Sequence, residues 1–209
     1  MENLVAQKLV PQNVFSVYFK PIRVPEDIDT VGGQLTLGGF PSQDTYNGEI
    51  QWSSMRQNSS LSNYWAISMD TITIQNASIQ VGGEGIVDTG TTMVVVQVKA
   101  AEAMAKQIPQ AQYNDTLGLY AVPCKNIKNL PKIIFQLGNN VRLEWGPEQY
   151  TVPSWQAFYW GADANTCPMY FVGEPLDGYE FILGQKFLES FVSVYDGQQR
   201  RVGFAPSKQ

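Results

Sequence analysis

Gly85-Ile86-Val87-Asp88-Thr89-Gly90-Thr91-Thr92-Met93-Val94-Val95-Val96 sets one carboxylate between two apolar runs. The flanking runs have the composition of buried strands, and a Gly two residues after the acid marks a tight turn. Taking a carboxylate out of water costs free energy that a turn does not repay, so Asp88 reads as a reacting group. The chemistry such a group implies needs a second carboxylate, because one must accept a proton while the other donates one. Asp-Thr-Gly occurs once in the 209 residues. The chain therefore reads as half of an active site.

Composition narrows the chemistry further. With 44% hydrophobic and 12% aromatic residues, the chain can bury a sizeable core in one domain, or in one domain with a short appended segment. A net charge of -5, a pI near 4.7 and no block of basic residues make nucleic acid and acidic membrane surfaces poor partners. The chain has no histidine, which removes Ser-His and Cys-His catalysis, His-ligated zinc and imidazole proton relays. Acid–base chemistry must come from carboxylates, Lys or Tyr. Neither a metal nor an organic cofactor is expected.

The two cysteines, Cys124 and Cys167, have no neighbouring thiols or histidines to complete a metal site, leaving a single disulfide or two buried thiols. Three sequons point to an oxidising, secretory or vacuolar origin, with Asn58, Asn76 and Asn114 as candidate N-glycosylation sites. The segment Met1-Glu2-Asn3-Leu4 has neither a basic region nor an apolar core, so no signal peptide is expected within the chain. No apolar run approaches the length of a membrane span.

The dominant periodicity is two. Segments 14–19, 33–37, 49–52, 65–69, 71–74, 133–137, 141–145 and 191–195 read as strands, which predicts an all-β domain. Helical signals are confined to 99–107, which stops before Pro109, to a single turn at 186–190, and to a short lead-in at 4–9 before Pro11. The aromatics Trp155, Phe158, Tyr159 and Trp160 crowd a stretch that otherwise reads as turn, either as a cover for the domain or as a contact surface.

Taken in order, these segments resemble the C-terminal lobe of pepsin-like aspartic proteases over essentially the whole chain. The carriers are Leu9 to Tyr18, Leu35-Thr36-Leu37-Gly38-Gly39, Asn63-Tyr64-Trp65-Ala66-Ile67, Ile86 to Thr92, Phe181-Ile182-Leu183-Gly184 and Val202 to Pro206. The resemblance implies an all-β lobe of the double-psi barrel type with one or two short helices. Residues 1–20 would be the remnant of the N-terminal lobe and the strand joining the lobes, and residues 21–209 the C-terminal lobe. It also implies a Cys124–Cys167 disulfide, Asp88 as the catalytic carboxylate, and peptide-binding roles for Gly90, Thr91, Thr92, Tyr64 and Ile182. Gly90 would let the turn fold back, the Thr91 hydroxyl would reach across to a partner loop, and Leu183-Gly184 would pack the turn from below. Gln185 departs from the family's usual Asp, at a position not expected to do chemistry.

The family's first Asp-Thr-Gly loop and its flap are absent from these residues, so a lone chain is expected not to cleave peptides. A complete dyad would come from a separate N-terminal lobe, or from a second copy meeting it across a two-fold axis, as in retroviral relatives. Strands 14–19 and 201–205 would lie at the junction, so isolation would expose apolar surface and strand edges and favour association. The expected function is an aspartic endopeptidase component acting on peptide or protein substrates. The competing expectation is an inactive binding or structural module, or an isolated folding unit.

Overall fold

Alternating sequence becomes strand through most of the chain in the computed structural model, which describes residues 1–22, 24–27, 32–56 and 60–208. Fifteen strands are present among the described residues: β1 Val14–Phe19, β2 Gly33–Leu37, β3 Gln51–Ser54, β4 Ala66–Ile74, β5 Ala77–Val87, β6 Val94–Gln97, β7 Gln112–Asn114, β8 Leu119–Pro123, β9 Ile133–Leu137, β10 Val141–Trp145, β11 Thr166–Pro168, β12 Phe171–Glu174, β13 Phe181–Leu183, β14 Phe191–Asp196 and β15 Arg201–Pro206. Four short α-helices join them: α1 Glu2–Ala6, α2 Val98–Lys106, α3 Pro147–Tyr150 and α4 Gln185–Leu188. The all-β expectation holds, with more short helical turns than the one or two expected. The aromatic stretch is one of them, a 3-10 helix Ser154–Trp160 that follows Pro153.

Three sheets form. An antiparallel sheet runs β2-β1-β14-β15-β3, a mixed sheet runs β10-β9-β4-β5-β13-β6-β12, and a small one runs β11-β8-β7. In the mixed sheet β13 slots between β5 and β6, parallel to the first and antiparallel to the second. The loop from β5 to β6, which carries Asp88, must therefore curl over the end of β13, and this crossing has the ψ shape expected of the fold. In the antiparallel sheet β1 and β15 both have neighbours on each side, so the edges are β2 and β3. This corrects the expectation that strands 14–19 and 201–205 would leave open edges.

Sequence patterns explain the burial. In β9 and β10, Ile133, Phe135, Leu137, Val141, Leu143 and Trp145 face inward at every second position. Segments 65–69 and 71–74 prove to be one strand, β4, with a bulge between Met69 and Thr71 that resets the alternation. Ile67 and Met69 on one side of it and Ile72 and Ile74 on the other thus all reach the core. Every residue of β14 is buried, because one face meets the main core and the other meets Tyr46 and Ile50.

One apolar cluster spans the mixed and antiparallel sheets. At its centre Phe187 of α4 packs on Phe135, Trp145 and Phe191, with ring centroids 5.1, 5.7 and 4.8 Å away. Those contacts fix α4, and α4 in turn fixes the Asp88 loop.

Cys124 and Cys167 form the expected disulfide, closing a loop of 43 residues in sequence separation. Chain-entropy arguments assign such a loop about 4 kcal/mol of stabilisation. A Cys124→Ser/Cys167→Ser variant is expected to lose about that much in a urea titration, and a loss below about 1 kcal/mol would contradict it.

Burial also sets the alkaline limit of the fold. Tyr150, Tyr170 and Tyr195 are buried, and desolvation raises each phenol well above the ordinary value of 10.0. Above pH 10 the unfolded chain releases these protons while the folded chain keeps them, so stability is intact below pH 10 and falls as pH rises beyond it. Each such tyrosine removes about 1.4 kcal/mol per pH unit, roughly 4 kcal/mol for the three together. The expected result is a steep drop in melting temperature above pH 10, with phenolate absorbance from these tyrosines appearing only on unfolding. A melting temperature that is flat up to pH 12 would contradict this.

Candidate active site

Asp88 follows the last residue of β5, where the chain leaves the sheet. Its backbone N–H donates to the Leu183 carbonyl of β13 at 3.1 Å, and the Val87 N–H donates to the Trp65 carbonyl at 3.0 Å. On the far side of the loop, the Gln185 and Lys186 N–H groups at the start of α4 donate to the Thr91 and Thr92 carbonyls at 2.6 and 2.9 Å. The loop is thus pinned at both ends by the segment 183–186. Gly184 lies directly beneath it, where a Cβ would overlap the Met93 carbonyl and stand 2.5 Å from the Thr91 carbonyl oxygen. Leu183-Gly184 therefore packs the turn from below, as expected.

The carboxylate is half-buried and held by two donors. The Gly90 N–H donates to Oδ1 at 2.9 Å and the Thr91 hydroxyl donates to Oδ2 at 2.7 Å. The Thr91 hydroxyl therefore donates its proton to its own Asp88 and keeps its oxygen as an acceptor. Gly90 also differs in its reason for being Gly: its φ is not in the left-handed region, and a Cβ there would stand 3.3 Å from Asp88 Oδ1. A residue without a side chain lets the N–H approach the carboxylate. Among the described residues no cation pairs with Asp88, so each oxygen keeps acceptor capacity for a proton or a water.

Beside Asp88 is an open cavity of about 270 Å³. Tyr64, Asn63 and Thr89 line it together with the aromatic trio Phe15, Trp65 and Tyr195. Phe15 stacks on Tyr195 at 4.6 Å, and Trp65 meets both rings edge-on at 5.5 and 5.2 Å. Burial, reinforced by the charge of Asp88, keeps the Tyr195 phenol protonated. Around the cavity the surface is apolar: Tyr64 is 55% exposed, and Leu35 and Leu37 on edge strand β2 are 61% and 49% exposed. Leu37 and Leu35 lie opposite Phe15 and Val17 in register and so share their face.

Of the residues singled out in the sequence, Asp88 and Tyr64 meet at this cavity. Gly90 and Thr92 are exposed on the loop, and Thr91 lies partly buried behind the carboxylate. Ile182 is not brought there: it sits mid-sheet in β13, opposite Ile86 and Val95. Sequence reasoning passed over Thr89, Phe15 and Tyr195 as cavity residues. Thr89 lay inside the motif itself, whereas Phe15 and Tyr195 meet only through the β1–β14 register, which no local pattern reveals. Gln185 uses its side-chain amide on Glu189 and its N–H on the Asp88 loop, which is a structural task.

Asn76 is exposed at the β4–β5 turn. Asn114 ends β7, with its side-chain oxygen accepting from the Thr116 and Leu117 N–H groups. Asn58 lies outside the described residues. Within Ser154–Trp160 the aromatics divide, Trp160 packing on Tyr170 at 5.4 Å while Phe158 and Tyr159 are 81% and 74% exposed. No group of three or more potential ligands stands close enough to hold a metal among the described residues, and no helix there is long and apolar enough to cross a membrane.

Comparison with known proteins agrees with this architecture. Mouse cathepsin D is 34% identical over 209 residues, covering 98% of this chain and 47% of that protein. Pig pepsin A is 30% identical over 210 residues, covering 98% of this chain and 49% of its own length. The chain thus spans about half the length of the curated relatives it matches. The crystal structure of an aspartic proteinase from Irpex lacteus superposes with a TM-score of 0.85 at 27% identity, over 99% of this chain and 60% of that one. The family model for eukaryotic aspartyl proteases matches residues 1–207. With that match, the half-length coverage and the pinned Asp-Thr-Gly loop, this chain belongs to the eukaryotic aspartyl protease family.

Proposed function

We propose that this chain is the C-terminal lobe of an aspartic endopeptidase, contributing Asp88 to a two-carboxylate site completed by another lobe. Residues 21–209 form that lobe, and residues 1–20 supply the strand that leads in from the other half. The observation that carries the reading is the Asp88 carboxylate, pinned by Gly90 and Thr91 at the mouth of a cavity whose surroundings are apolar and open. A carboxylate with one donor on each oxygen holds its plane fixed, which suits a pair of acids sharing one proton and a water. In the assembled site one carboxylate takes a proton from the water, which attacks the scissile carbonyl, while the partner's proton goes to the carbonyl oxygen. Exposed backbone at Gly90 and Thr92, with Tyr64 on the facing wall, would receive an extended peptide. The disulfide and the exposed sequon at Asn76 support an oxidising secretory or vacuolar compartment.

The test is digestion of denatured haemoglobin at acid pH by the chain alone and by the chain mixed with the N-terminal lobe of a two-lobe relative. The mixture is expected to cleave, with activity falling as pH rises because the shared proton is lost. The chain alone is expected to be inactive, or active only with a rate rising as the square of its concentration if two copies pair. A rate linear in the concentration of the lone chain would overturn the reading. A silent mixture, with the two lobes bound to each other, would favour an inactive binding module.

A further inference from the structure

A second cavity, of about 480 Å³, lies behind the Asp88 loop and is larger than the one beside the carboxylate. Its volume falls in the range of small-molecule sites, about 300–1,000 Å³. Its inner wall carries an ion pair between Lys186 and Glu189, with side chains only 13% and 11% exposed and Nζ–Oε distances of 2.8 and 3.1 Å. The same ammonium lies 5.1 Å from the Tyr170 ring centroid. This pair neutralises itself, so an incoming ligand meets the charges of the outer rim instead. There Lys125 and Lys128, both exposed on the 3-10 helix Cys124–Asn129, face one carboxylate, Glu148. Neither lysine forms an ion pair with a described residue. The rim is therefore net positive on a chain whose net charge is -5. The walls carry an apolar strip of Ile22, Ile127 and Pro153 beside the polar Gln149, Thr151 and Ser154, and the rim helix is tethered by the disulfide.

We propose that this cavity is a second ligand site, taking a small amphipathic anion whose carboxylate meets Lys125 and Lys128 while its apolar body lies against Ile22, Ile127 and Pro153. A neutral chain of equal length satisfies the walls and leaves the rim charges unmet; a cationic one is repelled by them. Lys186 links the site to the Asp88 loop, since its own N–H holds the Thr92 carbonyl at 2.9 Å.

Monomeric decanoate, decanol and decylammonium, titrated calorimetrically into the whole chain at neutral pH and low salt, test the proposal. Isoleucine methyl NMR reports where each one binds. Decanoate is expected to bind once per chain, shifting the Ile22 and Ile127 methyls, about tenfold or more tighter than decanol and tighter still than decylammonium. Lys125→Glu with Lys128→Glu is expected to weaken decanoate about tenfold or more without moving the melting temperature, because both side chains are exposed. The proposal fails if decanol or decylammonium binds as tightly as decanoate, or if the double variant keeps its affinity. It fails equally if the shifts appear at Ile86, beside Asp88, rather than at Ile22 and Ile127.

Discussion

Asp88→Asn, placed in the assembled two-lobe enzyme, is expected to lower kcat by about 10³-fold while leaving the fold in place. Asn is nearly isosteric with Asp, and its amide oxygen still accepts from the Gly90 N–H. The amide NH2 then faces the Thr91 hydroxyl, which can rotate from donor to acceptor. Losing the charge on those two hydrogen bonds costs about 1 kcal/mol of stability. The chemistry has no such alternative, because an amide neither takes the proton from water nor shares one with a second acid, and removing a positioned acid–base group costs about 10²–10⁴ in rate. A variant that keeps more than a tenth of wild-type kcat, with unchanged melting temperature, would remove Asp88 from the reaction.

Gly184→Ala is expected to be strongly damaging. The added Cβ would overlap the Met93 carbonyl and sit 2.5 Å from the Thr91 carbonyl oxygen. Both are backbone groups, so neither can rotate aside. Relief requires α4 to draw back, which breaks the Gln185 and Lys186 hydrogen bonds to the loop and pulls Phe187 from its aromatic pocket. Overpacking together with two orphaned carbonyls amounts to about 3 kcal/mol or more in a urea titration. Gly90→Ala provides the contrast, since its Cβ would meet only the Asp88 carboxylate at 3.3 Å, and a side chain can give way. A Gly184→Ala chain as stable as wild type would mean that the loop is not clamped as described.

The legible parts of the fold were those whose chemistry is local. Strands β1, β2, β9 and β10 match their sequence segments to the residue, and in β9 and β10 buried positions alternate with more open ones. β4 was read as two pieces because a bulge at Asp70 shifts the phase, and a bulge has no signature short of the partner strand. Of β5 only the end that leads into Asp88 was legible, since its Gly82-Gly83 pair looks like a turn; β6 was legible as the apolar run after the loop, whereas β12 is short, parallel-paired and without alternation. At the site, Asp88 and its loop were visible because the motif concentrates reacting and turn residues in one stretch. Of the cavity wall, Tyr64 was legible through the resemblance, but Phe15 and Tyr195 lie far apart in sequence and converge only when β1 pairs with β14. The donation of the Thr91 hydroxyl to Asp88 was not legible for a related reason, as it depends on the curl of the loop over β13.

As the C-terminal half of a two-carboxylate site, an open, apolar-rimmed Asp88 is expected to bind a transition-state analogue only once a second acid faces it. Calorimetric titration of a peptide with a hydroxyl in place of its scissile carbonyl measures that directly. The lone chain is expected to show no binding, whereas the chain paired with an N-terminal lobe binds one inhibitor per Asp88, and Asp88→Asn abolishes it. Equal binding by the lone chain, or undiminished binding after Asp88→Asn, would contradict the two-carboxylate site.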